Sequence, residues 1–221
     1  MTESYLAERQ EVLRAVRRIV AAGLVSGSSG NVSRRIPTPA GDVYAVTASR
    51  VPYDRFGIDD VLVVDGDVDP VVGDGIPSSE SLAHMAVYRE RADVGAVIHT
   101  HSVYASACAV AGQPIPAILD EQVVLLGGVV AVAEYGPSAS DELAANAVSA
   151  LGHRAAVLLS HHGVLCVGSD LDEAATVAEL VERVAKIRVL SVAIGGGREL
   201  PAHVVSAEEA AYRMMKGLRE K

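Results

Sequence analysis

The 221-residue sequence has no Trp, one Phe and two Cys, and each scarcity narrows what the chain can be. With so few aromatic rings, a core has to be filled by Ala, Val, Leu and Ile. Apolar residues make up 50% of the chain and charged ones 21%, the balance of a folded globular protein and not of a disordered one. Basic residues are also short: 19 Lys and Arg face 28 Asp and Glu, for a formal net charge of -9. No segment clusters enough cations to neutralise a run of phosphates, so a nucleic-acid partner is not expected. An anionic ligand needs a local site that works against the overall field. Long apolar runs are missing too. None approaches the roughly 20 residues that cross a bilayer, and the opening MTESYLAERQ is polar, unlike a secretory leader. The expectation is a cytoplasmic protein with no membrane partner. Cys108 and Cys166 lie in apolar stretches without C-x-x-C spacing and read as small buried thiols, not as a disulfide.

What is present has a clear periodicity. Leu6, Val12, Leu13, Val16, Ile19 and Val20 recur at helical spacing within residues 3–25, which predicts an amphipathic helix ended by the SGSSG punctuation. NVSRRI, VYAVTA and VLVVDGDV follow as short adjacent antiparallel strands, the last entering a turn at Asp65-Gly66. Pro77-Ser78-Ser79 then opens a helix through SLAHMAVYRER, with the serines as caps and Glu80 in its first turn. Beyond it, strands GAVIHTH, VVAVAEY and AAVLLSHHG alternate with helices VYASACAVAG and SDELAANAVSAL. A long helix from Leu171 to about Ile194 and a charged helix ending in MMKGLREK complete the chain. These elements predict one α/β domain over residues 1–221, three-layered αβα, with a mixed, largely antiparallel central sheet.

His99 and His101 stand two apart at a strand end, so alternation sends both imidazoles to one face. His161 and His162 end another apolar strand, where Gly163 lets the backbone turn sharply. Three imidazoles with a carboxylate such as Glu80 suit zinc or another first-row divalent ion. An isolated H-x-H arises by chance, but here both pairs close apolar strands, where loops carry function on a rigid scaffold. His84, His153 and His203 lack that placement and read as structural. The stretch from Ser26 to Asn31 offers small residues, Gly30 included, whose backbone N–H groups can approach an anion, with the Asn31 amide as a further donor. Ser78 and Ser79 at a helix N-terminus form a second anion-ready feature.

Taken together and in this order, G-N-V-S, T-A-S-R-V-P-Y-D, P-S-S-E, I-H-T-H-S and S-H-H-G-V resemble the class II aldolase/adducin head-domain family over nearly the whole chain. The resemblance implies that His99, His101 and His162 bind zinc and that Glu80 lies at the metal and moves protons. It also implies that Asn31, Ser49, Ser78 and Ser79 bind a substrate phosphate. By the same resemblance, the partner is a small phosphorylated sugar-like substrate, and four copies assemble with four-fold symmetry and sites at their boundaries. Cleavage of a ketose phosphate through a zinc-stabilised enediolate is the implied reaction.

Three departures from the fuculose-phosphate type of that family bear on the reaction. Arg50 stands where the family often has Gly, adding a cation able to grip a phosphate or carboxylate. Counting back from Gly127-Gly128, Glu121 occupies the place of a proton-donating Tyr, as a Glu does in the related methylthioribulose-1-phosphate dehydratases. Burial among Val123, Val124 and Leu125 would raise its pKa toward acid–base use. Lys216 replaces a C-terminal Tyr, with Tyr212 one helical turn earlier as a substitute. Dehydration of a sugar phosphate through Glu121, or else decarboxylation of an oxo-acid phosphate, is therefore the alternative to aldol cleavage. An adducin-like structural module is the non-enzymatic one, and retention of the three histidines and Glu80 counts against it.

Overall fold

The computed structural model describes residues 4–217. In chain order the elements are α1 (Leu6–Ala21), β1 (Asn31–Ile36), β2 (Val43–Thr47), β3 (Val61–Val64), β4 (Pro70–Val72), α2 (Ser81–Glu90), β5 (Ala96–Thr100) and α3 (Val103–Val110). Then come α4 (Asp120–Leu126), β6 (Val132–Ala133), α5 (Asp141–Leu151), β7 (Ala156–Leu159), β8 (Gly163–Gly168), α6 (Leu171–Ala193) and α7 (Ala202–Met215). The end of the expected last helix, residues 218–221, lies outside the described residues.

The eight strands form one sheet in the order β4-β3-β2-β1-β5-β8-β7-β6. Every pairing is antiparallel except β6 with β7, so the sheet is mixed and largely antiparallel as expected. The pleat sorts the strands' side chains into two cores. Ile98, Leu158, Val164 and Cys166 join Val12, Val16 and Ile19 of α1, Ala105 of α3 and Ala178 and Val181 of α6. On the opposite face, Val97, Val157, Leu159 and Leu165 join Met85 and Val87 of α2 and Leu143, Ala147 and Leu151 of α5. Both cysteines are free and buried. With helices on both faces, the architecture is the three-layered αβα predicted.

The structure departs from the sequence reading in four places. GVLCVG, given no element, is the central strand β8, buried along its whole length. The segment DEQVVLL is a seven-residue helix, α4, which packs on α6 and α7. VVAVAEY contributes only Val132 and Ala133 to the sheet. The residue that caps α2 is Glu80, not a serine, and it makes no side-chain capping bond. Ser78 instead accepts the Ser81 N–H through its carbonyl, and its own N–H is bound by the Thr47 carbonyl, so a turn anchored to the end of β2 precedes the helix.

Candidate metal centre and substrate cavity

Register sets up the site. β1 and β5 pair so that Asn31 lies opposite His99, and β5 and β8 pair so that His99 lies opposite Leu165. His99 therefore projects from the middle of the sheet onto the face covered by α2, which Glu80 precedes as the cap residue. The β7–β8 hairpin delivers His162 to the same place. Its turn is closed by a bond from the His162 N–H to the Leu159 carbonyl, and the residue in the left-handed region is His161, at φ 56. Gly163 serves differently from what was expected: a Cβ there would sit 2.3 Å from the Thr100 carbonyl oxygen and 3.2 Å from the His99 ring. Its bare backbone is what lets β8 approach the two histidines.

The result is compact. His99 Nε2 lies 2.9 Å from His101 Nε2 and 3.0 Å from one Glu80 oxygen, while His162 Nε2 lies 3.1 Å from the other. The donor atoms of Glu80, His99, His101 and His162 all fall within 4.8 Å of one another. His99 Nδ1 is 3.0 Å from the Val164 carbonyl, which can only accept, so this bond places the proton on Nδ1 and turns the Nε2 lone pair to the centre. Three imidazole nitrogens and a carboxylate, one imidazole oriented from behind, are a donor set that fits a first-row divalent cation. Burial works against ionising Glu80, yet its hydrogen bonds with His162, His99 and the Ser138 hydroxyl outweigh that and hold its pKa far below the usual carboxylate range. Burial lowers His101 to about 4, helped by the neighbouring His99 and His162. It therefore stands neutral, the form a metal requires.

Beside the cluster opens a cavity of about 220 Å³ lined by Gly30, Asn31, Ser49, Arg50, Ser78 and Ser79 together with Glu80, His101 and His162. All six residues read from the sequence as anion-binding thus share one wall system with the cluster. Gly30 is needed by geometry, because at φ 79 a Cβ would meet the His99 carbonyl oxygen at 2.6 Å. Asn31 is 4% exposed, and its Oδ1 is buried with no hydrogen-bond partner among the described residues, a condition that folded proteins rarely leave without a ligand or water.

Other sequence candidates lie elsewhere. Glu121 is not buried: α4 turns Val123 and Leu126 inward, and the Glu121 side chain, 39% exposed, pairs with Arg183 of α6 at 3.0 Å. Its neighbour Gln122 fixes that orientation, donating from its amide to the Pro116 and Gly128 carbonyls and accepting from the Ile118 N–H. The Tyr212 hydroxyl donates to the His153 carbonyl, and Lys216 pairs with Glu173, so neither faces the cavity. His84, one turn after Glu80 on α2, is fully buried behind the site, its Nδ1 2.7 Å from Ser33 Oγ. One contact went unread. Ser138, in the loop between β6 and α5, donates to Glu80 at 2.5 Å across 58 residues of sequence, and no local pattern announces it.

This geometry has counterparts in known proteins. The profile of the Class II Aldolase and Adducin N-terminal domain matches residues 10–189. The chain belongs to that family. An L-fuculose phosphate aldolase of Escherichia coli is 31% identical over 207 residues, 94% of this chain and 92% of its own length. A 5-deoxy-D-ribulose 1-phosphate aldolase of Bacillus thuringiensis is 32% identical over 194 residues, 88% of this chain and 90% of its own. Among solved structures, an L-fuculose 1-phosphate aldolase superposes with a TM-score of 0.86 at 32% identity, covering 93% of this chain and 95% of that one. The family member is accordingly an enzyme of the class II aldolase type.

Proposed function

We propose that this chain is a zinc-dependent carbon–carbon lyase that cleaves a small ketose phosphate. The observation that carries the reading is the single cavity in which a three-His, one-Glu cluster adjoins a rim of hydroxyls, amides and one guanidinium. His99, His101 and His162 are assigned to the metal. The ion supplies Lewis-acid stabilisation of negative charge on substrate oxygens when bound. Gly30, Asn31, Ser49, Arg50, Ser78 and Ser79 are assigned to the phosphate, which holds the sugar's reactive end beside Glu80.

Aldol cleavage moves two protons: one leaves the hydroxyl on the carbon that becomes a new carbonyl, and one reaches the carbon left behind. Glu80, gripped by Ser138 and ionised at rest, is assigned to the second transfer: it takes up the proton released in the first and passes it to that carbon, so the two transfers balance. Glu121 does not reach the cavity of its own chain, so its assignment to the first transfer places it at the cavity of a neighbouring copy in a four-copy assembly. Residues 1–221 are taken as one domain, in line with relatives of similar length, and the cytoplasm is taken as its compartment.

The test is incubation of the metal-loaded protein with a panel of ketose 1-phosphates, products identified by mass, alongside metal analysis and solution mass. Two carbon fragments support the reading. A product lighter than its substrate by one water replaces it with a dehydratase, and a metal-free inert protein replaces it with a structural module.

A further inference from the structure

The turn after β2 holds a conformational anomaly at the cavity. Arg50 has φ 61, in the left-handed region that favours glycine, and its side chain is exposed at the cavity wall. Both flanks of the turn are fastened. The N–H groups of Ala48 and Ser49 bind the carbonyls of Asp60 and Ile76, each at 2.8 Å. On the far side, the Tyr53 N–H binds the Gly27 carbonyl at 2.8 Å and its hydroxyl donates to the Gly30 carbonyl at 2.9 Å. Between them Pro52 keeps Val51 extended, so the chain reversal falls on Arg50. A glycine, having no Cβ, would take this position without strain. The arginine there brings the one guanidinium in the cavity lining, with no lysine beside it, and it enters no ion pair among the described residues. Serine hydroxyls and amides donate to an anion but do not neutralise it, and the chain's net charge of -9 repels one.

We propose that Arg50 is the specificity-determining residue that restricts this site to phosphomonoesters, its strained backbone retained because a glycine would leave the phosphate uncompensated. The inference rests on the proposed phosphate assignment and deepens it. A guanidinium at the wall offers the phosphate two parallel N–H bonds, so selection acts on the doubly charged group and not on the sugar carbons.

The probe is glycerol phosphate, with glycerol as the uncharged control, titrated by calorimetry into the metal-loaded protein. Arg50→Gln keeps the side chain's bulk and the backbone strain while removing the charge. It should weaken glycerol phosphate binding roughly tenfold or more, flatten the salt dependence and leave Tm unchanged. Arg50→Gly should lose the same affinity with a Tm that is unchanged or higher. That opposition separates a binding role from a structural one, which would lower both together. Equal affinity in Arg50→Gln and the parent overturns the inference while leaving the phosphate site standing. A fall in Tm that tracks affinity in Arg50→Gly overturns it as well. A parent protein that does not bind glycerol phosphate overturns the phosphate assignment, and the inference with it.

Discussion

Glu80 and Glu121 are the same side chain in opposite settings. Glu80, its side chain 12% exposed, is bound on both oxygens by histidines and by Ser138, and it ends a turn tied to the sheet. Glu121, 39% exposed, leans on an arginine that is itself 62% exposed. An exposed pair of that kind contributes at most about 1 kcal/mol and is easily given up. The contrast teaches that Glu80 is held for one task by the fold of its own chain, whereas Glu121 is free to exchange Arg183 for another partner.

The sharpest test of that contrast is at the cluster. His162→Ala should remove most bound metal and abolish turnover, whereas His161→Ala, at a ring that faces Tyr135 and not the cluster, should keep both. Metal content of the purified proteins decides, and the reverse pattern would move the ligand to His161. Next come the two carboxylates. Glu80→Gln should cut turnover by roughly 10²–10⁴-fold, in the range of general acid–base catalysis. Glu121→Gln should retain its metal and lose about a hundredfold, and near-parental turnover would return all proton transfer to Glu80.

On the cavity wall, Ser79→Asp places a like charge beside the proposed phosphate position. It should raise KM for phosphorylated substrates by roughly tenfold or more with the fold intact by circular dichroism. An unchanged KM removes Ser79 from the site.

The smallest effect concerns pH. Burial lowers His84 to about 3, below the roughly 6.5 of an unfolded histidine. Between these values the unfolded chain binds a proton that the native chain refuses. Stability is therefore full above about pH 6.5 and falls as the pH drops toward 3, by up to about 1.4 kcal/mol per unit from this group. Urea unfolding at pH 7 and 5.5 measures it, and His84→Asn should flatten the difference.

Much of this was legible in the sequence because it repeats locally. Alternation in GAVIHTH placed His99 and His101 together, and the helical spacing of α1 and α6 marked the layers. The strand β8 escaped because GVLCVG is buried on both faces and so shows no alternation, and it follows the hairpin turn without punctuation. Helix α4 is too short for a period to declare itself. The left-handed backbones of Arg50 and His161 went unread because neither residue is the glycine or asparagine that ordinarily marks that region. The Ser138 bond to Glu80 depends likewise on tertiary structure alone.

The bond from His99 Nδ1 to the Val164 carbonyl joins residues 65 apart in the sequence. Such a closure gains nothing until the intervening α3, α4, α5 and β7 have been gathered in, and its entropic cost is met early and recovered late. The imidazole that anchors the cluster is therefore oriented only once the central sheet is complete. Partially folded chains would carry the same histidines without their alignment, so strong metal retention becomes a readout of finished folding. On refolding from urea, recovery of tight metal binding should lag behind helical circular dichroism.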